Sequence, residues 1–265
     1  MTWAQLPLAQ LDESFFRDRT ESDCIRDDGA FCLQWVLDNF GDRYVTPTLE
    51  HILLVVVSVL LGFAIAFGMS LLSHGRRWLV PPFIGATGIL YTIPSIAFFL
   101  LLLPITGRGM ETAIIALTAY NLQIIYRNIV AGLANVPPQA KDAGRGMGMT
   151  DRQLLWKVEL PLSLPEIVAG VRIATVSTVA IATLAVFAGG GGLGTVILSG
   201  STITFKTGIV VAGALAIGMA IVFDVLLLLT QRRLTRWQSE ERLDSRGGGG
   251  RFGDLLRRRP AWTAR

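Results

Sequence analysis

Charge is what this sequence has least of. Lys and Arg number 24 and Asp and Glu 20 in 265 residues, so charged residues make up 17% of the chain, where a soluble domain carries about 25%. That is too little to cover a soluble surface, and Ile52–Leu72 contains no Asp, Glu, Lys or Arg at all. Cysteine is limited to two residues, which excludes a small disulfide scaffold. Glycine follows no three-residue period, which excludes a collagen-like chain. No Gly-x-x-x-x-Gly-Lys-[Ser/Thr] phosphate loop occurs, so ATP hydrolysis by that mechanism is excluded for this chain. No Ser/His/Asp or Cys/His constellation suggests catalysis, and the two histidines, His51 and His74, flank an apolar run instead of clustering around a metal. The expectation is a protein that is not an enzyme and carries no cofactor or metal.

What is abundant is apolar. The residues AVILMFWYC make up 51% of the chain. A membrane helix needs about 20 predominantly apolar residues, and five runs qualify, at about 50–72, 80–103, 110–132, 166–188 and 208–230. Runs such as His51-Ile-Leu-Leu-Val-Val-Val-Ser do not alternate as barrel strands would. The expected fold is all-α, a polytopic membrane protein with five transmembrane helices. Residues 47–230 form the transmembrane domain, between an acidic segment 1–46 and a basic tail 231–265.

The net charge of +4 conceals an asymmetry. Residues 1–49 hold nine acids and four arginines, and residues 231–265 hold ten arginines and four acids. Arg76 and Arg77 follow the first run, and Lys141, Arg145, Arg152 and Lys157 lie between the third and fourth. Basic residues are retained on the cytoplasmic side, which predicts an N-terminus outside and a C-terminus inside. Residues 1–49 contain no apolar core behind a basic start, so the first span is expected to direct insertion itself. The basic tail, interrupted by Gly247–Gly250, suits anionic lipid headgroups better than nucleic acid. Cys24 and Cys32 fall on the outer side, where a disulfide is chemically permitted; a bridge and two unpaired thiols both fit the spacing.

Three ionisable residues lie inside or near the runs: Arg127, Arg172 and Asp224. Each stands about six residues from a cytoplasmic boundary, or ~9 Å deep. A charge there must be paired or face the bundle interior, so Asp224 is expected to pair with Arg172 or Arg127. Gly189, Gly191 and Gly194 satisfy Gly-x-Gly-x-x-Gly, but no strand precedes them and no acid follows until Asp224. They read as a packing or hinge element, not a dinucleotide fingerprint.

The 33-residue segment Leu133–Pro165 is the most informative. Pro137 and Pro138 suit a first helical turn, and Gly148 a helix end. Thr150 with Gln153 fits a capping box opening a second short helix. Pro161 is expected to stop that helix, and Ser163 with Glu166 to cap the fourth span.

Within this loop, Asp142-Ala143-Gly144 is followed by three residues, Gly148, nine residues, Val158, one residue, and Leu160-Pro161. The spacing resembles the Glu-Ala-Ala consensus of the membrane permeases of bacterial ABC importers, type I and binding-protein-dependent, with Asp142, Gly144 and Val158 as departures. The stretches Thr92-Ile-Pro-Ser-Ile-Ala97 and Gly190-Gly-Gly-Leu-Gly194 look like the osmoprotectant permeases, for glycine betaine, carnitine or choline. The resemblance implies a subunit of the bacterial cell membrane. Its helix in the loop 133–165 would seat on an ATPase subunit, present in two copies, with Asp142, Ala143, Gly144, Gly148, Val158, Leu160 and Pro161 forming the coupling element. It also implies a second permease chain, identical or not, and an extracytoplasmic solute-binding protein. Mid-span Tyr91, Thr92, Pro94 and Ser95, with Tyr120 and Asn121, are candidates for the translocation pathway, since aromatic faces attract quaternary ammonium groups. Ordinary interhelical hydrogen bonding explains the same residues. Other small, amino acid-like solutes fit the architecture too, and a self-sufficient secondary transporter is the alternative from another class.

Overall fold

The computed structural model describes residues 31–234; Cys24 and the tail beyond residue 234 lie outside the described residues. Every regular element among the described residues is helical. Helix α1 (Leu33–Phe40) runs through a π-helical turn (Gly41–Val45) into α2 (Thr46–His74), forming one rod of 42 residues. At 1.5 Å per residue the rod is about 63 Å long, twice the hydrocarbon thickness of about 30 Å. The helix therefore starts well before the apolar run at residue 50 and is longer than a span requires.

The predicted span 80–103 is not one rod. Helices α3 (Val80–Thr92) and α4 (Ser95–Thr106) meet at a 97° bend. Pro94 has no N–H to donate, and it forces the residue before it out of the helical region; Ile93 accordingly has ψ 128°. After α5 (Met110–Asn135) and α6 (Pro138–Gly146), the chain forms α7 (Asp151–Leu154), a π-helical turn (Leu155–Glu159), α8 (Leu160–Ala182) and a 3-10 stretch (Thr183–Ala188) without interruption.

Pro161 thus does not stop a helix, Ser163 is not a cap, and the fourth span's helix starts at residue 151, not 166. Ser163 lies inside α8 with its hydroxyl on the Leu160 carbonyl. The physical reason is the widened turn just before Pro161, which absorbs the backbone bond that a proline cannot make. The same device recurs at Pro47, two residues after the π turn Gly41–Val45. Helix α9 (Leu193–Thr202), absent from the sequence reading, precedes α10 (Lys206–Leu234).

Three helices are long and apolar enough to cross a membrane, or four if the bent pair counts as one. Helix α5 is also long enough, with 26 residues, but it buries Thr112, Thr118, Asn121 and Gln123. It packs mainly on α2 and α8, so it meets protein more than lipid and can carry polar groups. Close crossings make room for this: a Cβ on Gly62 of α2 would lie 2.7 Å from Asn121 Cβ, and one on Gly170 of α8 only 2.4 Å from Asn128 Cβ. Leu54, Phe99, Leu117 and Val179 fill one apolar cluster around α5, and Ile125, Tyr126, Ile129 and Ile167 a second.

Hydrogen bonds define two ends of the bundle. At one, Gly109 N donates to Ala188 O (2.9 Å), and Cys32 N donates to Thr207 Oγ1 (3.2 Å). At the other, Lys141 Nζ donates to Leu133 O (3.1 Å), and Gln231 Nε2 donates to Pro165 O (3.0 Å).

Candidate functional site: a capped loop at one end of the bundle

Residues 136–159 fold into a compact lever. Val136 leaves the helical region (ψ 125°), and Pro138 stands in the first turn of α6. The far end closes as a Schellman motif, with Met149 N on Gly144 O (3.1 Å) and Gly148 N on Arg145 O (2.9 Å). Gly148 has φ +77°, a conformation a side chain resists. Thr150 then forms the capping box: Gln153 N donates to its Oγ1 (3.3 Å), and Thr150 N donates to Gln153 Oε1 (2.9 Å).

The consensus positions divide into an outer and an inner face. Asp142 and Ala143 are exposed. Asp142 lies 4.0 Å from Arg145, both side chains largely in the open, a pairing worth little. Gly144 is buried under Leu154, whose Cδ1 would stand 2.6 Å from a Cβ there, with Val158 beside it. Leu160 is buried, and Pro161 occupies the first turn of α8.

A junction the sequence reading missed lies beneath the lever. Glu159 is 4% exposed. Its Oε1 is 3.7 Å from Lys141 Nζ on α6 and its Oε2 3.5 Å from His74 Nε2 at the end of α2. No sequence signal marks it, because position 159 is the free residue of the consensus spacing.

The mid-span candidates separate. Tyr91 is 44% exposed and meets Tyr120 edge-on, with ring centroids 5.9 Å apart; Phe98 meets Tyr120 likewise at 5.6 Å. Tyr120 OH donates to Ile93 O, the carbonyl at the bend. Thr92 and Pro94 are exposed and Ser95 half-buried at the same bend. Asn121 is not part of this group. It is 1% exposed, between Gly62 of α2 and Thr178 of α8, whose hydroxyl donates to Asn121 Oδ1 (2.8 Å).

Of the three ionisable residues, the structure joins two. Arg172 Nε donates to Asp224 Oδ1 (2.6 Å) and Nη2 to Oδ2 (3.1 Å), a bidentate tie between α8 and α10. Arg127 is exposed on α5. Of the cysteine pair, Cys24 lies outside the described residues.

The glycine turn ahead of α9 is packed shut. Gly192 N donates to Glu50 Oε2 (2.8 Å) and Leu193 N to His51 Nδ1 (3.3 Å), while His51 Nε2 faces Val179 O at 3.1 Å. The carbonyl can only accept, so His51 carries its proton on Nε2. A Cβ on Gly194 would lie 1.9 Å from the Thr183 carbonyl oxygen.

Comparison with known proteins gives the lever a context. The profile of the family described as "Binding-protein-dependent transport system inner membrane component" matches residues 58–239. The osmoprotectant import permease protein OsmW of Salmonella typhimurium is 39% identical over 212 residues, covering 77% of this chain and 96% of that protein. The choline transport system permease protein OpuBB of Bacillus subtilis is 34% identical, covering 75% and 92%. Among solved structures, an inward-facing MetNI methionine ABC transporter aligns with TM-score 0.65 at 22% identity, over 73% of this chain and 96% of that one. An amino acid ABC transporter aligns at 0.64 and 17% identity, over 75% and 97%. At these identities the structures speak for the fold alone.

Proposed function

Since the chain belongs to the binding-protein-dependent transport system inner membrane component family, a family of multi-pass cell-membrane proteins, we propose that it is the permease subunit of an ATP-driven ABC importer for a small osmoprotectant such as glycine betaine, carnitine or choline. The observation that carries the reading is the lever. A helix fixed by proline at one end and a Schellman turn at the other, with Asp142 and Ala143 exposed on its outer face, is a rigid surface fit to receive force from another protein. In this reading the force comes from two separate ATPase subunits. One chain supplies half of the pathway, a second permease chain the other half, and an extracytoplasmic solute-binding protein delivers the solute.

Five spans are supported by the two ends of the bundle. Residues 32, 109, 188 and 207 are bonded at one end, and residues 133, 141, 165 and 231 at the other, which supports three traversals; His74 beside Glu159, at the second end, supports two more between residues 32 and 109. The basic residues Arg76, Arg77, Lys141, Arg145, Arg152 and Lys157 gather at the lever's end, which supports a cytoplasmic lever and an outer N-terminus.

The aromatic bend favours a quaternary ammonium solute. Tyr91 and Tyr120 stand together where the broken helix exposes one ring, and such rings attract cations whose charge has no N–H to donate. The test is reconstitution of the full complex in vesicles. ATP-dependent uptake of betaine, carnitine or choline, resistant to competition by amino acids, is expected. Uptake without an ATPase subunit would overturn the ABC reading, and amino acid uptake alone would overturn the solute class.

A further inference from the structure

Glu159 is a charge where charge is expensive. It sits on the π-helical turn between the lever and α8, 4% exposed, and its Oε2 accepts no hydrogen bond within the described residues. A carboxylate in such a place is destabilising unless it is firmly paired. Its two partners are near but slack. Lys141 Nζ at 3.7 Å and His74 Nε2 at 3.5 Å exceed the 2.7–2.9 Å of a charge-assisted bond by about 0.6–1.0 Å.

The three residues belong to three different elements. Lys141 is on α6, beside Asp142 of the lever's outer face, and also donates to Leu133 O near the end of α5. His74 is the last residue of α2, and Glu159 immediately precedes α8. The group borders a cavity of about 760 Å³, shared with Arg77, Arg145 and Asp151, which leaves room for the side chains to shift. Polar contacts this loose, in a space this open, suit an arrangement that tightens in one transport state and relaxes in another.

We propose that Glu159 is the positioning residue of the coupling lever: its carboxylate passes displacement of α6, through Lys141 and His74, to the ends of α5 and α2. The proposal rests on the assignment of α6 as the ATPase-coupling helix and names the contact that transmits its motion. In this role Glu159 acts through Lys141 and His74 and not on the solute or the nucleotide. Its loss separates hydrolysis from transport and leaves each step chemically intact.

The experiment uses the complete transporter in vesicles, measuring solute taken up per ATP hydrolysed at equal amounts of assembled complex, for wild type, Glu159→Gln, His74→Gln and the double variant. Glu159→Gln is expected to hydrolyse ATP while uptake per ATP falls about fivefold or more. His74→Gln should lower the ratio less, and the double variant should be no worse than Glu159→Gln, because both changes remove the same contact. An unchanged ratio in Glu159→Gln, or losses in the two single variants that simply multiply in the double, would overturn the proposal. Should Glu159→Gln fail to assemble, His74→Gln decides, and an unchanged ratio there would also overturn it. The coupling reading itself fails differently, by wild-type uptake that ignores ATP or by a wild-type chain that captures no ATPase subunit.

Discussion

At the scale of single residues, the Arg172–Asp224 pair shows what a membrane demands of charge. Each side chain is about one-third exposed, and each would be left facing lipid or protein without its partner. An unpaired charge inside a membrane helix is unfavourable by about 2.5–3.5 kcal/mol at the centre on insertion scales, and by less near a boundary. Asp224→Asn alone is therefore expected to lower stability by about 1–3 kcal/mol, while Asp224→Asn combined with Arg172→Gln recovers most of the loss; thermal unfolding in detergent measures both. The sequence made an acid-base pair necessary but left Arg127 and Arg172 equal, because depth along a helix says nothing about which face a residue occupies. Tyr91 is the second residue-scale case. If Tyr91 faces the solute as proposed, Tyr91→Phe keeps the ring and should leave uptake near wild type, whereas Tyr91→Ala should forfeit a cation–π contact of about 0.5–2 kcal/mol. The apparent KM for a quaternary amine is expected to rise about 2- to 30-fold, read from uptake at varied solute concentration.

At the scale of elements, legibility followed locality. The Thr150–Gln153 capping box and the Gly148 turn were readable because each involves residues within a few positions of one another. The 97° bend at Pro94 was not read from the run 80–103, and the Tyr120 contact with Ile93 O at that bend joins residues 27 positions apart, which only packing brings together. Pro161 misled because the π turn before it cannot be seen in composition. Helix α9 escaped notice at ten residues, too short for a span and introduced by glycines. Glu159 and His74 are 85 positions apart, and only packing brings them together. Two variants probe the lever. Thr150→Ala removes one side of the capping box and should destabilise the α6–α7 element by about 1 kcal/mol, seen as faster backbone hydrogen exchange over residues 138–159 with the spans unaffected. Gly144→Ala sets two effects against each other: a helix gain of about 0.5–1 kcal/mol and a clash with Leu154 Cδ1 at 2.6 Å. Overpacking generally costs about 1–3 kcal/mol, so the clash wins and exchange over the same segment should also quicken. The shortened variant Leu154→Val, combined with Gly144→Ala, relieves it.

At the scale of the whole molecule, the open quantity is how often the chain crosses the bilayer, and the bent pair α3–α4 decides it. Helices of 13 and 12 residues at 97° reach about 25 Å end to end, a little short of the hydrocarbon thickness of about 30 Å. Residues 77–79 and 107–109 extend that reach at both ends. A re-entrant hairpin would return Arg108 to the side of Arg76 and leave four crossings; a broken span would carry it across and give five. The hydrogen bond from Gly109 to Ala188 argues for the broken span, because α8 starts beside the lever and its 3-10 continuation reaches residue 188 only 28 residues beyond Leu160. The charge distribution agrees, with Arg76 and Arg77 on one connection and Arg108 alone on the next. Topology reporters fused after Arg76 and after Leu234 are thus expected to report the cytoplasm, and those after Arg108 and Lys206 the exterior. Reporters at Arg76 and Arg108 on the same side would leave α3–α4 as a re-entrant pair, and the aromatic bend at Tyr91 would then enter the membrane from the lever's side.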